Sequence, residues 1–279
     1  MAQQNLPLVV DTNTLAERLG SPGLRIVFVG DQALYEQAHI PEATQIEYAA
    51  LNAGGPPAMG QLPSPTSLAR LLGQAGITPE THVVACDAEG NGRASRLLWT
   101  LDCIGHHNWS LLDGGVIAWQ ADGLRFEQGP GPDVAVADYP VDVNASSARA
   151  DLAHVQSHLG DPDVAILDAR SPGEYQGDDV RAARGGHIPG AVNLEWTENI
   201  DVDNAARLRP KETLRAMHEA LGLNRGQEVI THCQTHHRSA LSYVVLRYLG
   251  YDRARGYDGS WSEWGNRTDT PVVTGDAPE

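Results

Sequence analysis

Short apolar runs alternate along the chain with longer segments of helical periodicity. Runs such as Val164 to Leu167 and Glu228 to Thr231 have the length of strands buried on both faces of a parallel sheet. After Arg238 the apolar positions have the i, i+3, i+4, i+7 spacing of a helix, and Gly250 stands where that helix would end; these positions are Leu241, Val244, Val245 and Tyr248. The alternation predicts an α/β fold with a mostly parallel sheet.

The same order of motifs occurs twice. RIVFVGDQALYEQAHIPEATQIEY, from Arg25, is echoed by VAILDARSPGEYQGDDVRAARGGHIPGAVNLEW, from Val164. THVVACDAEGNGRASRLLWTLDCIGH and QEVITHCQTHHRSALSYVVLRYLGY follow in the same order. We therefore predict a duplicated domain rather than a solenoid, with two similar α/β domains at 1–124 and 148–279, each a mostly parallel sheet flanked by helices. The stretch at 125–147 is rich in Gly, Pro and Asp and is predicted to be a linker.

The charge and cysteine content exclude several classes of protein. With 36 acidic and 20 basic residues, the formal net charge of -16 repels nucleic acid and anionic membranes. No apolar run approaches the roughly 20 residues that span a bilayer, and the start, MAQQNLPLVV, lacks the cationic segment of a targeting signal. Three cysteines form no disulfide framework and fit a reducing compartment. We therefore expect a cytoplasmic protein that binds neither nucleic acid nor membranes.

The segment THCQTHHRSA, residues 231–240, lies between a predicted strand and a predicted helix. Cys233 is therefore expected at the carboxyl end of a strand, where ligands bind in open α/β sheets. The residues up to Arg238 must curl into a short loop whose backbone N–H groups point at the sulfur, with the positive end of the helix behind them. Such a nest holds an anion and lowers the pKa of the thiol, so Cys233 is predicted to be a nucleophile. Cys86 and Cys103 lie inside apolar runs and are predicted to be buried and inert.

Three motifs, GGHIPGAVN, CQTHHRS and DGSWSEW, stand in the order found in tandem-domain rhodaneses, and the chain resembles this family over nearly its whole length. The CQTHHR loop resembles that of bacterial members of the Azotobacter and Pseudomonas type. The resemblance implies a thiosulfate:cyanide sulfurtransferase that holds sulfane sulfur as a persulfide on Cys233, without a metal or an organic cofactor. The implied partners are thiosulfate or another sulfane-sulfur donor, cyanide or a thiol as acceptor, and protein sulfur acceptors.

Residues around Cys233 are assigned roles by this resemblance together with the chemistry of the loop. Arg238 is expected to brace the loop through a carboxylate and to add positive potential. The candidate substrate-binding residues are Gln234, Thr235, His236, His237, Arg170, Arg184 and Trp196. For Arg170 an ion pair at the strand end, and for Trp196 a place in the core, remain open. For the two loop histidines the alternative is that they point to solvent. His187 and its counterpart His39 are expected to shape the turn before the next strand.

Two other chemistries are weighed for the loop. Cysteine and histidine are zinc ligands, but a structural zinc site uses separated pairs of ligands, and the side chains of one tight loop should splay outward around the sulfur. Dual-specificity phosphatases of the same fold have five residues between cysteine and arginine, whereas here four intervene, Gln234 to His237. The tighter loop favours sulfur over phosphoryl transfer.

The first copy has Asp87 opposite Cys233 and Arg93 one residue later than the second copy's arginine. A carboxylate does not attack sulfane sulfur, so this copy is predicted to be catalytically silent. A persulfide carrier and a 3-mercaptopyruvate sulfurtransferase remain alternatives for the whole protein. The loop matches neither the vertebrate thiosulfate nor the mercaptopyruvate pattern, and Gln176 falls near the place of an arginine that the mercaptopyruvate enzymes carry.

Overall fold

The structure is a computed structural model that describes residues 6–143 and 145–278. The first five residues of MAQQNLPLVV, on which the expectation about targeting partly rests, lie outside the described residues. Within the described residues, no helix combines the length and the apolar character that crossing a membrane requires.

The first half of the chain forms a five-stranded sheet with the strand order β1-β5-β4-β2-β3 and only parallel pairs. All five residues of the central strand β4 are buried, as its apolar sequence predicts. The strands are β1 (Val9–Val10), β2 (Leu24–Val29), β3 (Thr44–Ile46), β4 (His82–Cys86) and β5 (Trp109–Leu112). The helices are α1 (Thr12–Ala16), α2 (Gln32–Gln37), α3 (Pro65–Gln74), α4 (Gly92–Cys103) and α5 (Gly115–Ala121), and a 3-10 turn covers Tyr48–Leu51.

The second half repeats this topology with the order β6-β12-β11-β7-β8, again with only parallel pairs. Its strands are β6 (Arg149–Ala150), β7 (Val164–Asp168), β8 (Ala191–Asn193), β11 (Glu228–His232) and β12 (Ala254–Tyr257), and β9 (Ile200–Asp201) pairs antiparallel with β10 (Arg207–Leu208). The helices are α6 (Leu152–Ser157), α7 (Pro172–Gln176), α8 (Lys211–Ala220), α9 (Arg238–Leu249) and α10 (Ser260–Trp264), with 3-10 turns at Trp196–Asn199 and Val202–Asn204. Two α/β domains with parallel sheets and flanking helices confirm the predicted fold class.

Equivalent side chains of the two copies make equivalent contacts. Tyr175 stacks on His187 with ring centroids 3.7 Å apart, and Tyr35 stacks on His39 at 4.1 Å. In both copies the histidine Nδ1 lies 2.8 Å from the carbonyl oxygen of that tyrosine. Both histidines are buried and both form a bridge to a later segment, so their predicted architectural role is confirmed.

The chain divides into two compact units whose boundaries are not simply sequential. One unit consists of Met1–Leu51, Pro63–Ser146 and Ile200–Leu208, and the other of Asn52–Leu62, Ser147–Asn199 and Arg209–Glu279. We name the short inserted pieces Asn52–Leu62 and Ile200–Leu208 the exchanged segments, because each belongs to the unit formed mainly by the other half of the chain. The predicted limits at 124, 147 and 148 stay predictions, and they did not foresee this exchange.

The exchanged segment Asn52–Leu62 lies close to the cysteine loop. The N–H of Leu62 donates to the Asp258 carboxylate at 3.0 Å. Gly60 is buried, and a Cβ there would lie 2.2 Å from the carbonyl oxygen of Thr235. Only glycine therefore fits at this close approach of two backbones.

Candidate active site

Cys233 directly follows β11, which lies between β12 and β7 in its sheet. Helix α9 begins at Arg238, so the predicted order of strand, loop and helix is confirmed. The cysteine is buried. Its sulfur is therefore fixed at the carboxyl end of the sheet, where the loop surrounds it.

The groups that face the sulfur outweigh the effect of burial on its ionisation. Burial alone would raise the pKa of the Cys233 thiol. The Arg238 guanidinium, the hydroxyl and N–H of Ser239 and the N–H of Thr235 oppose it, and together they hold the pKa below its ordinary value. The nest of N–H and O–H donors therefore favours the thiolate form of Cys233.

The first turn of α10, within the DGSWSEW motif, holds the loop from behind. The N–H of Trp261 donates to the carbonyl oxygen of Cys233 at 2.9 Å, and the N–H of Ser262 donates to that of Gln234 at 3.0 Å. Ser260 adds a hydroxyl that accepts a hydrogen bond from the Cys233 N–H at 3.4 Å. These bonds use the free N–H groups of a helix start to hold the carbonyl oxygens at the start of the loop.

Arg238 braces the loop through a carboxylate, as predicted, and that carboxylate belongs to Glu174 of α7. The two guanidinium nitrogens lie 2.6 and 2.9 Å from the two carboxylate oxygens, a bidentate pair. Glu174 is 1% exposed. Burial would raise the pKa of Glu174, but Arg238 and the N–H of Ser171 hold it below its ordinary value.

Glu174 and Ser239 escaped the sequence analysis, although both left a signal. Ser171 and Glu174 form a capping box at the start of α7, and the S-P-G-E spacing that encodes it is visible in the sequence. Ser239 follows the loop arginine directly and is buried with its hydroxyl toward the sulfur. A serine in the first turn of a helix that begins next to a reactive cysteine is a candidate hydrogen-bond donor to that cysteine.

The loop histidines occupy different environments. His236 has a left-handed backbone with φ 55°, is buried, and places Nδ1 2.7 Å from the Ser239 hydroxyl. The expectation that the loop side chains splay outward or point to solvent is therefore wrong for His236, because the left-handed turn directs its ring inward. His237 is half-buried, with its ring centroid 6.3 Å from that of Trp196. Trp196 therefore lies beside the loop, as a pocket-lining residue would.

Arg170 and Arg184 both have internal partners. Arg170 is 1% exposed, pairs with Asp168 and donates to the Gly186 carbonyl at 2.8 Å. Arg184 donates to the carbonyl oxygens of Trp264 and Thr270 at 2.9 and 2.7 Å. The ion pair considered for Arg170 is therefore present, and a substrate-binding role for both arginines stays a prediction.

Gln234 and Thr235, the remaining loop residues, lie between β11 and α9 as predicted. The side-chain amide of Gln234 donates to the Arg181 carbonyl at 3.1 Å, and Thr235 is half-buried.

Cys86 and Cys103 are buried, and burial raises the pKa of Cys86. Within residues 6–143 and 145–278, no three or more histidine, cysteine, aspartate and glutamate side chains form a group that could hold a metal ion.

The equivalent loop of the first copy shows what such a nest can hold. One oxygen of the Asp87 carboxylate accepts the N–H groups of Glu89 and Asn91, both at 2.9 Å, and the other accepts that of Ala94 at 2.8 Å. The N–H of Val116 donates to the Asp87 carbonyl at 3.0 Å, as Trp261 does to Cys233. The predicted alignment of Asp87 with Cys233 is confirmed, and a resident carboxylate fills the anion site of this copy.

Comparisons with known proteins agree with this geometry. A model of the rhodanese-like domain matches residues 11–122 and again 151–267. The thiosulfate sulfurtransferase of Pseudomonas aeruginosa is 45% identical over 96% of this chain and 97% of its own, and that of Azotobacter vinelandii is 43% identical over the same shares. The sulfur carrier protein TtuD of Thermus thermophilus is 32% identical over 96% of this chain and 97% of its own. The crystal structure of YnjE superposes with a TM-score of 0.87 at 23% identity, covering 97% of this chain and 69% of that one, which shows the shared fold.

Proposed function

Because the chain belongs to the rhodanese-like domain family, in two copies, we propose that it is a thiosulfate:cyanide sulfurtransferase that works through a persulfide on Cys233. The observation that carries the proposal is the sulfur of Cys233 in a nest of donors that lowers its pKa. A thiolate is the form of cysteine that attacks sulfane sulfur. The names of the bacterial relatives support thiosulfate as the donor.

In the first half-reaction the Cys233 thiolate attacks the outer sulfur of thiosulfate. A new S–S bond forms, the bond from the outer sulfur to the sulfonate breaks, and sulfite leaves as a dianion with the bonding electron pair. The product is a persulfide anion, so the site carries one negative charge before and after the step. The donors that stabilise the thiolate can therefore also stabilise the persulfide.

In the second half-reaction cyanide attacks the terminal sulfur of the persulfide. The S–S bond breaks, thiocyanate leaves, and the electron pair returns to Cys233 as the thiolate. A thiol acceptor reacts in the same way through its thiolate and leaves as a persulfide. No proton, metal ion or redox partner is needed for either step, so we propose that no cofactor takes part.

We propose that the loop residues Gln234, Thr235, His236 and His237, together with Trp196, contact the sulfur donor. Their support is their position, in the loop or beside it. Arg238 adds positive charge near the sulfur, and Glu174 fixes the orientation of the Arg238 guanidinium. We also propose the cytoplasm as the location, since a reducing compartment keeps the free thiol of Cys233 available.

Intact-mass spectrometry tests the persulfide step directly. After incubation with thiosulfate, the protein is expected to gain the mass of one sulfur atom, and peptide analysis should place it on Cys233. Cyanide should remove the added mass and release an equal amount of thiocyanate. Added mass on Cys86 or Cys103, or none on Cys233, would contradict the proposed mechanism.

A carrier that hands its persulfide to partner proteins is the second candidate function. The sulfur carrier name of the Thermus thermophilus relative favours it. A persulfide that forms on Cys233 but reacts with cyanide much more slowly than with a protein thiol would support the carrier. Parallel kinetics with thiosulfate and 3-mercaptopyruvate distinguish the two small-molecule donors.

Replacing Asp87 with alanine should leave sulfur transfer within about twofold of the parent, because Asp87 belongs to the silent copy. The free energy of unfolding should fall by about 1–3 kcal/mol, since two buried N–H groups and one partly buried N–H group lose their acceptor. Thiocyanate formation and urea unfolding measure the two effects. Asp87→Asn, which keeps an acceptor oxygen, is the control and should lose less stability. A tenfold loss of activity in a folded Asp87→Ala protein would contradict the assignment of this copy as silent.

A further inference from the structure

Two ionisable side chains are buried beside Cys233 at a position where the first copy has apolar ones. The register of the second sheet pairs His232 of β11 with Asp168 of β7. The equivalent register of the first sheet pairs Cys86 of β4 with Phe28 of β2. All four side chains are buried. The fold itself therefore accepts an apolar pair at this place.

The difference extends two residues along the chain. Arg170 pairs with Asp168 and stands over the Trp261 ring, 4.3 Å from its centroid. Its counterpart in the first copy is Gly30, where a Cβ would lie 2.8 Å from the ring of Phe28. The aromatic ring thus lies against the position where the second copy carries an arginine.

Buried charges are costly, and well-packed apolar residues of similar volume often replace a buried ion pair without loss of stability. The first copy shows such a replacement within the same chain. The cluster of Asp168, Arg170 and His232, which we call the polar cluster, is therefore not required by the fold. It occurs in the copy that carries Cys233, which connects it with the chemistry of that residue.

The ring of His232 lies between the cysteine peptide and the carboxylate. Its Nδ1 is 3.3 Å from the carbonyl oxygen of Cys233, and its Nε2 is 3.5 Å from the nearer oxygen of Asp168. The same carbonyl oxygen accepts the N–H of Trp261. Because a peptide group is planar, fixing this carbonyl also fixes the N–H of Gln234, with which the loop begins.

We propose that His232 is a positioning residue that fixes the Cys233 carbonyl through Nδ1 and so directs the loop donors at the sulfur. This role rests on Cys233 being the reactive group of the proposed function. Without the imidazole, the peptide after Cys233 keeps only one donor to its carbonyl oxygen and can rotate. The N–H groups that follow then face the thiolate less well, which raises the pKa of Cys233.

His232→Val and His232→Asn test this role, with Cys86→Val as the matched variant at the same register position of the silent copy. Asparagine retains an N–H donor near the place of Nδ1, whereas valine has none. The measurement is the rate of Cys233 alkylation by iodoacetamide as a function of pH, followed on the Cys233 peptide by mass spectrometry. Thermal unfolding and thiocyanate formation are measured on the same samples.

His232→Val is expected to slow alkylation of Cys233 about tenfold at pH values below the thiol pKa of both the parent and the variant. This factor corresponds to a rise of about one unit in the pKa of Cys233. The difference should vanish where both thiols are ionised, because a raised pKa reduces only the thiolate fraction. The charged or titratable groups that act on the His232 ring are Asp168, Arg170 and His187, and Arg238 acts on the sulfur; none of these residues is changed. His232→Asn should recover most of the rate, and Cys86→Val should match the parent.

An unchanged alkylation profile in His232→Val would overturn the proposal. A loss that is equal at every pH and parallels a lower melting temperature would overturn it as well, because it indicates a merely structural role. If the parent protein formed no thiocyanate, the proposed function would fail, yet the alkylation profiles would still decide the positioning role.

Discussion

Replacing Cys233 with alanine should abolish thiocyanate formation from thiosulfate and cyanide, reducing it to the uncatalysed background. The loop donors, Arg238 and the rest of the site remain, but the atom that carries the transferred sulfur is gone. Cys233→Ser should be equally inactive, because a hydroxyl in the same nest forms no persulfide. The colour of the ferric thiocyanate complex gives the rate, and circular dichroism verifies that the variants are folded.

The two remaining cysteines supply the control for this experiment. Cys86 and Cys103 are buried, and burial raises the pKa of Cys86, so neither is expected to carry sulfur. The folded Cys103→Ala variant should transfer sulfur at a rate within about threefold of that of the parent protein. Appreciable thiocyanate formation by Cys233→Ala would refute the assignment of the nucleophile.

Replacing Glu174 with glutamine should lower kcat/KM for thiosulfate by roughly 10- to 100-fold, because it disturbs the orientation of Arg238 and through it the ionisation of Cys233. The carboxylate is buried and holds both guanidinium nitrogens, and its neutral analogue leaves the arginine charge without a partner. Breaking a buried pair in this way typically costs about 3–5 kcal/mol of stability. Urea unfolding and steady-state kinetics measure the two losses.

Arg181→Gln is the matched control, since it removes a second arginine near the same carboxylate. Arg181 is 54% exposed and its Nε lies 3.6 Å from Glu174, so this pair should contribute about 1 kcal/mol or less. The single variant Arg238→Gln and the double variant Glu174→Gln/Arg238→Gln complete a cycle from which the coupling energy is obtained. Equal effects of Glu174→Gln and Arg181→Gln would show that Glu174 is not the specific brace of Arg238.

The elements around the site could be predicted because they depend on local pattern. The apolar run before Cys233 and the helical spacing after Arg238 fixed the position of the loop within a residue. Alignment of the two repeats predicted that Asp87 is the counterpart of Cys233. The hydrogen bonds from loop N–H groups to the Asp87 carboxylate agree with this alignment.

The partners of the charged residues could not be predicted in the same way. Arg170 pairs with a carboxylate two residues away, whereas Arg238 pairs with one 64 residues away, and only the tertiary fold decides between such partners. The His236 ring is buried because its backbone is left-handed, and no residue type in the loop predicts that backbone conformation. The position of the cysteine loop could thus be predicted, whereas the residues that surround Cys233 in the fold could not.

The exchanged segment Asn52–Leu62 affects when the second half of the chain can finish folding during synthesis. Leu62 and its acceptor Asp258 are 196 positions apart. At about 5–20 residues per second, a ribosome takes roughly 10–40 s to cover that separation. Asn52–Leu62 is therefore synthesised well before Thr235 and Asp258, the residues that it contacts. A nascent chain would acquire its finished cysteine loop only near the end of translation, long after the first half has left the ribosome.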